Sequence, residues 1–231
     1  MTVEHLIFDL DNTLYPPTAE MDGGITRRMM TCVADFFGVD YDEAVRLRAR
    51  RIAGFSTTLE WLRSEGLTDV EGYFRRVHPE DEADELPPSP ELRPLLASLP
   101  QPKVILTNAP AEHASRVLQK LDVADLFDAV CDIRSSELFG KPYPQAFRNA
   151  LAAFGGAADI ENTLFLDDMR KYTDGYAALG GTAVLVGGKN GHALSPGAAA
   201  VSKDVPPHPG RTLRIKSVYE LPTLLQKICE M

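Results

Sequence analysis

Cysteine is scarce: Cys32, Cys131 and Cys229 are far apart, odd in number, and form no Cys-x-x-Cys pair. That excludes a disulfide framework, gives a zinc site no support, and points to reduced thiols in a cytosol-like compartment. No run of about 18 apolar residues occurs, so no transmembrane helix is expected. The first residues enter a strand-like segment without the basic, apolar and small-residue order of a signal peptide, and the expected location is cytoplasmic. Basic residues are outnumbered, 24 to 33 acidic, for a net charge of -9. This sign argues against nucleic acid or an anionic membrane as a partner. An anionic ligand has to be drawn in locally, by a metal ion, a lysine or helix ends. Oligomeric state is left open. What is present, 231 residues of which 44% are hydrophobic, suffices for one sizeable domain or a core with a smaller insert.

Short apolar runs alternate with stretches of helical period, the pattern of an α/β protein with a mostly parallel sheet. Strands are expected at residues 5–10, 103–107, 129–132, 163–167 and 182–186, and helices at 110–121, 144–154 and 170–179. Pro110 and Pro144 stand near helix starts, where proline is favoured. Residues 18–86 carry helical periodicity throughout, too long for a crossover between two strands, and read as an insert of four helices. Its apolar stripe, Trp61 included, reads as the insert's own core. The proposed division is a core of residues 1–16 and 88–231 around a helical insert of 17–87. Pro16-Pro17 and the acidic, proline-rich residues 79–90 are the expected hinges. Residues 187–211, rich in Gly, Ala, Pro and Ser, show no periodicity and are expected to form a long mobile loop; His192 and His208 within it are given no role.

Chemistry is suggested first by Leu6-Ile7-Phe8-Asp9-Leu10-Asp11-Asn12-Thr13. A buried strand has no use for Asp at two alternate positions as it leaves the core. Side chains two apart on an extended backbone point the same way, so both carboxylates can face one ligand. Two carboxylates that close repel unless a cation separates them or one is protonated, and magnesium suits an all-oxygen site. The plain alternative is a polar turn or helix cap. Thr107-Asn108 follows Val104-Ile105-Leu106 and suits phosphate oxygens, though Thr-Asn is also ordinary turn chemistry. Lys141 precedes the helix begun by Pro144 and can neutralise an anion; a solvated lysine is the plainer reading. Asp167-Asp168 closes Leu164-Phe165-Leu166 and repeats the logic of Asp9 and Asp11. Two such pairs on parallel strands would build a divalent metal site.

In that order, Asp-x-Asp-x-Thr, strand-Thr, Lys-Pro before a helix and strand-Asp-Asp, the motifs resemble those of the haloacid dehalogenase-like phosphohydrolase superfamily. The resemblance runs from about residue 4 to 186. It implies a Rossmann-like parallel sheet core with an inserted α-helical cap that closes over the site. The run from Asp9 to Pro16, with Asn12 where Gly is more common, resembles the pyrimidine 5′-nucleotidase-like branch. The implied activity is magnesium-dependent hydrolysis of a small phosphomonoester, with nucleoside 5′-monophosphates favoured. Asp9 is the implied nucleophile, forming an aspartyl-phosphate, and Asp11 the acid and base. Implied metal ligands are Asp9, the Asp11 main-chain carbonyl and Asp168, with Asp167 beside them directly or through water. Thr107, the Asn108 amide and Lys141 are the implied phosphate-binding groups. Met169 and Tyr172 depart from the pattern, which commonly has Ser and then Asn or Asp three positions later. That departure supports an alternative, a catalytically weak regulatory or binding relative; a phosphomutase is another, since it uses the same Asp pair. Asp174 is too far around the helix to substitute, a two-residue shift turning it by roughly 200°.

Overall fold

The computed structural model of the chain describes residues 2–17, 20–187 and 210–230. Six strands are present among them: β1 (His5–Phe8), β2 (Lys103–Leu106), β3 (Ala129–Cys131), β4 (Thr163–Asp167), β5 (Thr182–Val186) and β6 (Arg211–Ile215). All pair in parallel, in the order β3-β2-β1-β4-β5-β6. The four strands from β1, β2, β4 and β5 are buried at every residue, which is why they read as continuous apolar runs.

Nine helices accompany them: α1 (Glu20–Phe37), α2 (Tyr41–Arg51), α3 (Thr58–Ser64), α4 (Val70–Val77), α5 (Leu92–Ala97), α6 (Ala111–Lys120), α7 (Pro144–Ala152), α8 (Arg170–Ala177) and α9 (Leu221–Cys229), among the described residues. None of them is long and apolar enough to cross a membrane. Alternate strand residues divide the sheet between two cores. Leu6, Phe8, Ile105, Leu164, Leu166 and Val184 face α5, α6 and α9. Ile7, Val104, Phe165 and Ala183 face α7 and α8, with Phe147, Phe165 and Tyr176 in mutual ring contact. Helices α1 to α4 enclose a third cluster, in which Trp61 is buried and stacks on Phe37 at 5.2 Å. Caps fit the local sequence: Asp40, Thr57 and Asp69 each accept a main-chain N–H three residues on.

Three elements went unanticipated: α5, β6 and α9. The composition places Arg211 at the end of an irregular stretch, yet it opens β6 and pairs with Thr182. With arginine at two of its five positions and only Ile215 buried, this edge strand lacks an apolar run to betray it. Most of the 187–211 stretch, with His192 and His208, lies outside the described residues. The acidic residues 79–90 are partly interior: Glu82, Ala83 and Leu86 are buried, Glu82 and Ala83 in a short 3₁₀ turn, and Leu86 belongs to the sheet core.

Candidate active site

The strand order reverses direction at β1, which has β2 on one side and β4 on the other, so a crevice opens at the carboxyl ends of these strands. Register aligns those ends, with Phe8 opposite both Ile105 and Leu166. Asp9, Thr107 and Asp167 therefore emerge side by side. The Asp9 N–H still donates to Leu166 O at 2.8 Å, and the chain then turns through Asn12. Asn12 has φ of 65°, the left-handed region that favours Gly and tolerates Asn, which explains why Asn can stand there.

Lys141 joins the pieces. Its Nζ, 1% exposed, donates to Asp9 Oδ1 at 2.5 Å and to Asp167 Oδ2 at 2.7 Å. Asp9 Oδ2 accepts from Thr13 at 3.0 Å, and Asp167 Oδ1 accepts the Met169 N–H at 2.8 Å. Each carboxylate of Asp9, Asp167 and Asp168 offers an oxygen within 4.8 Å of the others, a group able to hold a metal ion. Burial raises the pKa of Asp9 and Asp167, with Lys141 opposing it, and repulsion from Asp11 adds to it for Asp9 and from Asp9 for Asp167; burial and the neighbouring carboxylates raise Asp168. Excess negative charge held by burial fits a divalent cation, and the half-buried Asp168 is its open side. Both Asp167 oxygens are engaged by protein donors, which suits the indirect role weighed for it. Lys141 is itself disfavoured by burial, but Asp167 and Asp9 outweigh this and lift it above the ordinary lysine range.

Asn108 holds Lys141 rather than pointing its side chain at a ligand. Its Oδ1 accepts the Lys141 N–H at 2.7 Å and its Nδ2 donates to Lys141 O at 3.1 Å. Thr107 Oγ1 accepts the Ala109 N–H at 3.0 Å, leaving the hydroxyl hydrogen to donate. The clamp needs Gly140: a Cβ there would lie 2.2 Å from Asn108 Oδ1 and 2.6 Å from Ile133 Cδ1. Gly140→Ala is accordingly expected to cost about 1–3 kcal/mol by overpacking and to lower kcat by shifting Lys141. Urea denaturation and steady-state kinetics on one preparation check both effects.

Asp11 meets different partners from Asp9. Its Oδ1 accepts from Tyr15 OH at 2.5 Å and from His113 Nε2 at 2.7 Å. Burial opposes its charge, but His113 and Tyr15 hold the carboxyl below the ordinary range. His113, in the first turn of α6 and wholly buried, also donates from Nδ1 to Glu82 Oε1 at 2.6 Å. Burial disfavours its charge as well, yet Asp11 and Glu82 together push it up to about 10. Neither His113 nor Glu82 was found from the sequence. His113 is one polar residue in an ordinary helical pattern, and Glu82 one of five acids among residues 80–85.

Tyr172, one of the two departures from the family pattern, lies with its ring 5.1 Å from Lys141 Nζ, so the charge is flanked by an aromatic face. Its hydroxyl donates to Ser56 O at 3.3 Å, Lys171 Nζ donates to Phe55 O at 2.6 Å, and Tyr143 OH donates to Glu60 Oε1 at 2.6 Å. The edge of the helical insert thus lies over the side of the crevice that holds Lys141. Asp174 instead makes an exposed ion pair with Arg170.

Comparison with known proteins agrees with this geometry. A family model described as haloacid dehalogenase-like hydrolase matches residues 3–198. Phosphate metabolism protein 8 of Saccharomyces cerevisiae is 29% identical over 182 residues, 70% of this chain and 54% of that protein. The chain thus spans about half the length of this curated relative. Two solved structures share the fold. A HAD phosphatase from Thermococcus onnurineus has TM-score 0.61 and 19% identity, covering 97% of this chain and 98% of that one. A β-phosphoglucomutase from Clostridium difficile has TM-score 0.59 and 17% identity, covering 99% and 98%.

Proposed function

Because the chain belongs to the haloacid dehalogenase-like hydrolase family, we propose that it is a magnesium-dependent phosphatase of small phosphomonoesters. One observation carries this reading: Lys141 bridges two buried carboxylates beside a third, while a separate acid, Asp11, waits two residues away with its own partners. Asp9 and Asp168, with the Asp11 carbonyl, are proposed to hold the cation, and Asp167 to act through Lys141. When bound, the cation supplies positive charge to the phosphoryl oxygens and orients them.

In the proposed reaction Asp9 attacks phosphorus, forming the aspartyl-phosphate as the ester oxygen leaves. Asp11, in its protonated form, gives that oxygen its proton and becomes the carboxylate, which then takes a proton from the water that hydrolyses the intermediate. Thr107, the Asn108 amide and Lys141 hold the phosphoryl oxygens in line, the main demand of phosphoryl transfer. An Asp11 paired in this way also argues against dehalogenation, which needs no second acid.

The run from Asp9 to Pro16 supports nucleoside 5′-monophosphates as the favoured substrates. Residues 17–87 are proposed as a cap that closes over the crevice, and the cytoplasm as the compartment. Likeness to a phosphoglucomutase keeps transfer to a sugar phosphate as a second reading. Assays of p-nitrophenyl phosphate hydrolysis before and after exhaustive chelation test the metal. Activity is expected to vanish with EDTA and return with magnesium; persistence in EDTA would sink the metal assignment. Nucleotides, sugar phosphates and phosphoglycolate compared side by side then identify the substrate class.

A further inference from the structure

His113 and Glu82 stand outside the four motifs, yet both are buried and hydrogen-bonded in a chain that ends on Asp11. His78, Glu82 and His113 also sit close enough to suggest a second metal site. The guanidinium groups of Arg116, 2.9 Å from Glu82 Oε1, and Arg28, 3.5 Å from Oε2, already neutralise that carboxylate. Two cations on one ligand leave a third no electrostatic gain, and His113 Nε2 is committed to Asp11.

We propose that His113, oriented by Glu82, is a positioning residue that fixes the Asp11 carboxyl for proton transfer to the leaving group. The proposal deepens the phosphatase reading and rests on it. An imidazole flanked by two carboxylates donates from both nitrogens, so its ring plane is set at both ends. Glu82 is held in turn by Arg116, Arg28 and the His78 ring nitrogen at 3.1 Å, while the His78 ring lies 4.4 Å from that of His113. His113 and Tyr15 both bind Oδ1 of Asp11. Oδ2 takes no hydrogen bond from the described residues and is therefore the oxygen that meets the substrate. His113 transfers no proton to the substrate; it fixes which carboxyl oxygen does, as the third member of a triad orients a base.

The test exploits leaving-group basicity. p-Nitrophenolate departs with little help, phenolate needs more, and benzyl alkoxide departs only with a proton. The kcat/KM value reports the phosphorylation step, where that proton is delivered. His113→Ala is expected to lower kcat/KM on benzyl phosphate by about 10²-fold or more, the scale of general acid catalysis, and on p-nitrophenyl phosphate by less than about tenfold. Asp11→Asn, as a control, should give the same ordering. Equal losses on all three esters, or no loss, would overturn the proposal. Circular dichroism verifies the fold; if His113→Ala is unfolded, Glu82→Gln decides by the same ratio, a graded loss supporting the proposal and a uniform or absent one overturning it. Should the parent protein with magnesium hydrolyse none of the three esters, the underlying phosphatase reading fails instead, which is distinct from any outcome of the variant series.

Discussion

Asp9→Asn is expected to lower phosphomonoester turnover by about 10⁴-fold or more, the scale seen when an enzyme loses its nucleophile. The amide keeps the shape of the carboxylate, and Lys141 keeps Asp167 at 2.7 Å, so the fold should persist. What is lost is the attacking atom and one charge from the carboxylate group proposed to hold the cation. Steady-state rates on p-nitrophenyl phosphate with saturating magnesium, beside near-ultraviolet circular dichroism, separate loss of chemistry from loss of fold. Turnover within tenfold of the parent would exclude a covalent aspartyl intermediate.

Lys141→Met should produce the largest loss of stability. The substitution fills a similar space but leaves Asp9 and Asp167, 6% and 0% exposed, without their shared cation. Breaking a buried pair from one side costs about 3–5 kcal/mol. For a chain of this size that lowers Tm by roughly 6–20 °C, since each kcal/mol is worth about 2–4 °C. The deficit has a defined pH dependence. Without Lys141, burial raises both carboxyl pKa values further above their unfolded values; such groups stabilise the fold when protonated and lose that contribution as pH rises through the folded pKa. The gap between parent and variant should therefore be narrower at pH 5 than at pH 8, as scanning calorimetry at both values will measure. Turnover should fall on the order of 10²–10³-fold, because a fixed positive charge on the phosphoryl group is lost. An unchanged Tm would mean that Asp9 and Asp167 are not interdependent through Lys141.

Strands β1, β2, β4 and β5 were legible because they are buried on both faces and so appear as bare apolar runs. β4 and β5 fall at the expected residues, and β1 to β3 end one or two residues early. A strand of alternating polarity at the edge, such as β6, carries no such signal. The proposed site was legible for a related reason, since charge placed directly after an apolar run contradicts burial and so calls for a chemical explanation. His113 and Glu82 break no local rule. They meet across 31 positions, and His113 meets Asp11 across 102. Nothing in a local window reports a partnership made by folding. Asn108 shows a subtler limit: its residue type suited phosphate, but which part of it is available depends on Lys141 lying within hydrogen-bond reach.

Glu82 also bears on how such a molecule can be recombined. By sequence it belongs to the helical insert, whose end is marked by Pro87. By its bonds it ties α1, through Arg28, to α6, through His113 and Arg116, and Leu86 is buried in the sheet core. A chimera that exchanges the helices of one relative for those of another therefore has its natural crossover between Val77 and Glu82. Cutting at Pro87 would move Glu82 with the foreign helices and leave His113 with one carboxylate in place of two. An exchange of the proposed 17–87 cap is therefore better cut upstream of the prolines that mark its end in the sequence.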